Sequence, residues 1–95
     1  MDLALLNEVA AERRARWEAA GIGWQVVNGP PTDKPASWLI LSGQEVLGQV
    51  TVWVSGEAEM DWGTPEDGGE RHYDLDSREA LLACVEDLEG LVGLD

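Results

Sequence analysis

His72 and Cys84 are the only histidine and the only cysteine in the sequence. They are the first candidates for nucleophilic or metal chemistry. A zinc site takes three or four Cys or His ligands, which two such residues do not supply. A Cys–His dyad needs thiol and imidazole side by side, and nothing in the pattern brings these two together. His72 falls on or next to a short predicted strand, and Cys84 falls among Leu81, Leu82 and Val85 in a predicted helix. The expected roles are a surface histidine and a small buried thiol. Asp61, Glu66, Asp67 and Glu70 are rich in carboxylate oxygen but lack the carboxylate, glycine and final-glutamate spacing of a calcium loop. Gly21-Ile22-Gly23-Trp24 lacks the later glycine and the helix of a phosphate-binding loop. No acid, base and nucleophile converge, so the pattern predicts a binding protein with no catalysis, no metal and no cofactor.

Charge says more than motif. Six basic residues stand against nineteen acidic ones, a net charge of −13 with a pI near 4.1. Phosphate contacts need clustered Lys and Arg, so nucleic acid is excluded as a partner, and an anionic membrane is disfavoured likewise. No apolar run approaches the ~18–20 residues of a membrane span. The Met1-Asp2 start lacks a signal-peptide pattern, and a lone cysteine forms no internal disulfide, which together point to a cytoplasmic protein. The excess acid is unevenly placed. Residues 1–20 and 21–56 each carry a net charge of −1, whereas residues 57–95 hold thirteen acids against two arginines, net −11. Such a field speeds encounter with a basic partner and favours that class of partner over others.

The elements that must position these charges follow from periodicity. With 95 residues, 44% of them hydrophobic, the expectation is one domain spanning 1–95 with one small core. Residues 2–20 read as a helix, with Leu3, Leu6, Val9, Ala10 and Trp17 at helical spacing and Gly21 as its stop. Arg13, Arg14 and Arg16 join Glu12 and Glu18 on its expected solvated side. Strands are expected at 22–27, 37–41, 46–54, 57–62 and 71–75. Loops at 28–35, with three prolines, and at 63–70 separate them. Asp76 is the expected cap of a last helix with Leu81, Leu82, Val85 and Leu88 on its core side and Gly90 as its end. The predicted fold is α+β: an antiparallel sheet of four to five short strands with the N-terminal and C-terminal helices packed on one face.

The turn at Val54-Ser55-Gly56 decides where the acids go. From Glu57 to Trp62 carboxylates alternate strictly with Ala58, Met60 and Trp62, so one strand face is acidic and the other is core. A two-residue turn would pair Val54 with Glu57 and set carboxylates beside valines. A three-residue turn pairs Trp53 with Glu57, Val52 with Ala58, Thr51 with Glu59 and Val50 with Met60, and puts Gly56 where positive φ is wanted. That register sends Thr51 and Trp53 to the outward face with Glu57, Glu59 and Asp61. With the loop acids Glu66, Asp67 and Glu70 they form the candidate partner-binding surface, Trp53 being its aromatic anchor. The other reading is a solvated charged face whose tryptophan is covered by its neighbours.

The stretch Gly48-Gln49-Val50-Thr51-Val52-Trp53-Val54-Ser55-Gly56-Glu57-Ala58-Glu59 resembles the central hairpin of the TriTu family of bacterial immunity proteins. An acidic chain of this length, an Ala- and Arg-rich first helix, a proline-containing loop before Trp38 and an acidic last helix fit the same layout. The resemblance implies an antitoxin-like immunity protein that binds and neutralises a cognate secreted ADP-ribosyltransferase toxin, one that modifies elongation factor Tu. Two other roles fit an acidic binding protein: a chaperone or adaptor for a secreted protein, and a nucleic-acid mimic that inhibits a DNA-binding protein.

Overall fold

The structure is a computed structural model and describes residues 1–94. Helix α1 (Ala4–Ala19) leads into strands β1 (Gly23–Asn28), β2 (Ala36–Ser42), β3 (Leu47–Trp53), β4 (Glu57–Gly63) and β5 (Gly68–Asp74), and helix α2 (Arg78–Leu91) follows. The strands form an antiparallel meander in the order β1-β2-β3-β4-β5. The fold is the expected α+β arrangement.

Both helices lie on one face of the sheet because only one face is apolar along its full width. Leu39, Leu41, Val50, Val52, Ala58 and Met60 alternate inward and are essentially without solvent contact. They meet Leu6, Val9, Ala10 and Trp17 of α1 and Leu81, Cys84, Val85 and Leu88 of α2 in one core cluster. Each fully buried Leu or Val adds roughly 1.5–3 kcal/mol relative to an exposed one. Helix α2 sits directly on the β3 backbone at Gly48, where a Cβ would lie 2.4 Å from Leu88 Cδ1.

Both helices end on glycines with positive φ, and the cap of α2 lies one residue beyond the position the spacing predicts. Gly21, at φ 74°, ends α1 as expected. The amide of Ile22 donates to the Trp17 carbonyl and that of Gly21 to the Glu18 carbonyl, so the last turn is closed by a Schellman motif. Helix α2 runs through Gly90 and repeats this closure at Gly93 (φ 102°), with Leu94 donating to the Glu89 carbonyl. Its cap is Ser77 rather than Asp76: Ser77 is extended, and its Oγ accepts from the Ala80 amide at 3.1 Å. The segment 63–70 is also shorter as a loop than expected. Thr64–Asp67 make the turn, and Gly68, Gly69 and Glu70 pair with Gly63, Trp62 and Asp61. Two adjacent glycines carry little strand propensity. Here the Trp62 ring lies on Gly69, so closely that a Cβ there would fall 2.5 Å from the indole.

Arg13 leaves the solvated face to which its spacing assigned it. Its Nε and Nη2 donate to the two oxygens of Glu89 at 2.5 and 2.6 Å, and Trp17 Nε1 donates to the same carboxylate at 2.6 Å. Glu89 is 4% exposed, and the fork of donors is what allows a charge to sit there. The hydrogen bond to Glu89 raises the Arg13 pKa further. With the exposed Arg78–Glu12 pair, this clamp fixes α1 against α2. Arg13→Met strands the Glu89 carboxylate, and we expect a loss of about 3 kcal/mol in urea denaturation followed by tryptophan fluorescence. Arg14→Met, at an exposed position on the same helix, should fall within about 0.5 kcal/mol of wild type.

Candidate functional site

The face of the sheet opposite the helices is covered by no element among the described residues. The register fixes its composition. Val50 pairs with Met60, Thr51 with Glu59 and Val52 with Ala58, as the turn argument required. Gly56 closes the turn at φ 93° with its amide on the Trp53 carbonyl, so Trp53 and Glu57 flank it. Thr51, Trp53, Glu57, Glu59, Asp61 and Glu70 therefore share the open face. Glu66 and Asp67 do not join them there. They sit in the β4–β5 turn, a strand length of about 20 Å from Trp53 and Glu57. Asp67 is partly engaged in holding that turn, its Oδ1 accepting from the Gly68 amide at 2.8 Å.

The open face has two halves. On β4 and β5 it carries Glu57, Glu59, Asp61, Glu70, His72 and Asp74. The cross-strand pairs are Glu57 with Asp74, Glu59 with His72, and Asp61 with Glu70. Two of the three set like charges directly opposite, which destabilises the hairpin. On β1 to β3 the face carries the apolar side chains Val27, Trp38, Ile40, Trp53 and Leu47, the last 57% exposed, among the uncharged polar Gln25, Gln49 and Thr51. A shallow cavity of about 250 Å³ lies where the halves meet, lined by Ile40, Leu47, Gly48, Gln49, Asp61 and Trp62. Val27, Trp38, Ile40 and Leu47 were not among the expected site residues. Their signal was the sequence of β2, in which Trp38 and Ile40 alternate with Leu39 and Leu41. A strand apolar on both faces normally lies between two layers, and here the second layer is missing.

Two titratable side chains on this face are electrostatically tuned, Glu57 and His72. The Nζ of Lys34, from the proline-rich β1–β2 loop, lies 2.9 Å from Glu57 Oε2 and 5.4 Å from the centroid of the Trp53 ring. The hydrogen bond and charge of Lys34 lower the Glu57 pKa, with a smaller contribution from His72. Trp53 is thus partly exposed, with a cation over its ring. His72 lies 3.4 Å from Glu59 through Nδ1 and 3.4 Å from Asp74 through Nε2, and its pKa is raised chiefly by the Glu59 contact.

No catalytic pairing emerges from these positions. The sheet separates His72, on the open face, from Cys84, buried under α2, where desolvation pushes the thiol pKa up to about 12. Among the described residues no group of three or more His, Cys, Asp or Glu side chains is arranged to hold a metal ion. Among the same residues no helix is long and apolar enough to cross a membrane.

A family model described as immunity protein TriTu matches residues 5–89, from the first helix through all five strands into α2. The chain belongs to the TriTu immunity protein family. The likeness seen at the β3–β4 hairpin therefore extends over nearly the whole chain. Membership supports an immunity-protein role, with a cognate toxin as partner. No curated protein and no solved structure matches the chain.

The tuning of His72 has a pH signature. Its ordinary pKa is 6.5 and the folded value is higher. The stabilisation it lends to the β4–β5 pair is fully present below the unfolded pKa and is lost as pH rises through the folded one. In an NMR titration the imidazole should titrate above 6.5, and Glu59→Gln should bring its midpoint down. An unchanged midpoint in the variant would contradict the assigned ion pair.

Proposed function

We propose that this TriTu protein neutralises a secreted ADP-ribosyltransferase toxin, in the cytoplasm of the cell that carries both, by seating its open sheet face over the toxin's active site. The toxin class is the one implied by the family resemblance. The observation that supports the face is the contiguity of its two halves, with Trp38, Ile40 and Trp53 adjoining a strand of Glu57, Glu59 and Asp61. An enzyme that uses a dinucleotide holds its pyrophosphate with cationic groups and backbone donors. Carboxylates on a rigid sheet compete for those donors, and indole rings fill the apolar part of the cleft. The sheet is preformed, so little ordering entropy is lost on docking. The role requires no catalysis by this chain.

The same face favours a protein partner for this chain over mimicry of nucleic acid. A nucleic-acid mimic needs regularly spaced carboxylates over a long surface, whereas here they occupy two strands of five and the rest of the face carries no acidic side chain.

The test uses the cognate toxin domain, with NAD and elongation factor Tu as substrates. Wild-type protein should abolish ADP-ribosylation at equimolar amounts. The triple reversal Glu57→Lys, Glu59→Lys, Asp61→Lys should weaken toxin binding at least 100-fold, and Trp53→Ala by about tenfold or more. Undiminished binding by the triple reversal would defeat the proposal for the face. Binding without loss of transferase activity would defeat active-site occlusion alone.

A further inference from the structure

Lys34 is the only lysine in the sequence, and it lies across the open face instead of extending into solvent. Its ammonium has two partners there, the Glu57 carboxylate at 2.9 Å and the Trp53 ring at 5.4 Å from the centroid. The loop that delivers it is held at its base without using the side chain. Gly29 donates to the Ala36 carbonyl at 2.9 Å and Val54 to the Pro35 carbonyl at 3.2 Å, while Pro30, Pro31 and Pro35 restrict the backbone between. The Lys34 side chain is therefore not needed to close the loop.

What it does is satisfy a local charge requirement. Glu57 stands directly opposite Asp74 across the β4–β5 ladder, a like-charge pair that calls for a cation. The side chains of Lys34 and Glu57 are 57% and 45% exposed. Exposed contacts of this kind are screened by solvent and exchange readily.

We propose that Trp53 and Glu57 form a receptor for one arginine side chain of the partner, and that Lys34 is the chain's own occupant, displaced when the partner docks. This rests on the open face being the toxin-binding face, and it names the side-chain chemistry that face reads. A guanidinium is the better ligand for the same two groups. It is planar, so it stacks on the indole, and it offers two donors to one carboxylate, whereas an ammonium is a point charge. The exchange conserves charge at the site, and the released Lys34 ammonium returns to water. Lys34 thus acts as a competitor that lowers the apparent affinity of the site for any external cation.

The receptor can be tested without a toxin. Protein labelled with 5-fluorotryptophan is titrated with acetyl-Gly-Arg-Gly-amide, with its lysine and norleucine counterparts as comparisons, and the Trp53 fluorine resonance is followed. The arginine peptide should shift that resonance, the lysine peptide less so, and the norleucine peptide not at all. Lys34→Gln should bind the arginine peptide about three- to tenfold more tightly than wild type. Arg14→Gln, an equal change in net charge at an exposed position of α1, should not. The gain should vanish in Lys34→Gln combined with Glu57→Gln. A Lys34→Gln protein that binds the peptide no better than Arg14→Gln, or that shows no Trp53 shift, overturns the proposal. Because no toxin is present, that failure is separate from a failure of the immunity reading. Conversely, a toxin that binds elsewhere while the peptide binds as expected would defeat the proposal that the open face docks the toxin, and with it the role of Trp53 and Glu57 in reading a toxin arginine, while their affinity for a guanidinium would stand.

Discussion

The register between β3 and β4 is the constraint on which the molecule depends. Side chains alternate across a strand, so a slip of one residue would move every carboxylate of β4 from solvent to core. Glu57, Glu59 and Asp61 would then meet the underside of the helices, and Ala58 and Met60 would be in water. The three-residue turn prevents this. Gly56 holds φ at 93°, and a Cβ there would lie 2.5 Å from the Leu75 carbonyl oxygen, so neither the conformation nor the space admits another residue. Once that turn is set, the acidic side of β4 is outward, β5 pairs against it, and both helices have only one apolar face on which to pack.

Much of this was legible in sequence because it is local. The alternation from Glu57 to Trp62, the glycine at 56 and the glycine stop at 21 each act within a few residues. What escaped was long-range or two-sided. Arg13 and Glu89 each look like solvated helix residues, and their pairing across 76 positions becomes visible only when α1 lies on α2. Gly68 and Gly69 have poor strand propensity, and it is the Trp62 ring over Gly69 that compensates. Glu70, expected in the candidate surface as a loop acid, consequently lies there on a strand, opposite Asp61. Glu66 and Asp67 lie outside that surface, because the turn at the far end of β4 carries them beyond the sheet. Lys34 carried no pattern at all, since its position depends on how a proline-rich loop folds back over Trp53.

The open face is assembled against the interests of the isolated fold. Directly opposed carboxylates at Asp61–Glu70 and Glu57–Asp74 weaken the hairpin. An uncharged half containing Trp38, Ile40 and Leu47 lies beside them without a covering layer. Under the proposed function, both features belong to a docking face to which the toxin would bring cations and an apolar layer. Departures from local consistency of this kind concentrate where a protein works. Membership of the TriTu family, matched over all five strands, provides the partner class that such a surface requires.

The most direct test is to map which face the toxin covers. With protein labelled with ¹⁵N at the indoles and a saturating unlabelled toxin domain, resonances of Trp38 and Trp53 should shift and become protected from solvent. Trp17, buried between the helices, should not move, and neither should the amides around the exposed Arg14 and Arg16 on α1. Protection confined to the outer surface of α1 or α2, with Trp38 and Trp53 unchanged, would contradict the account.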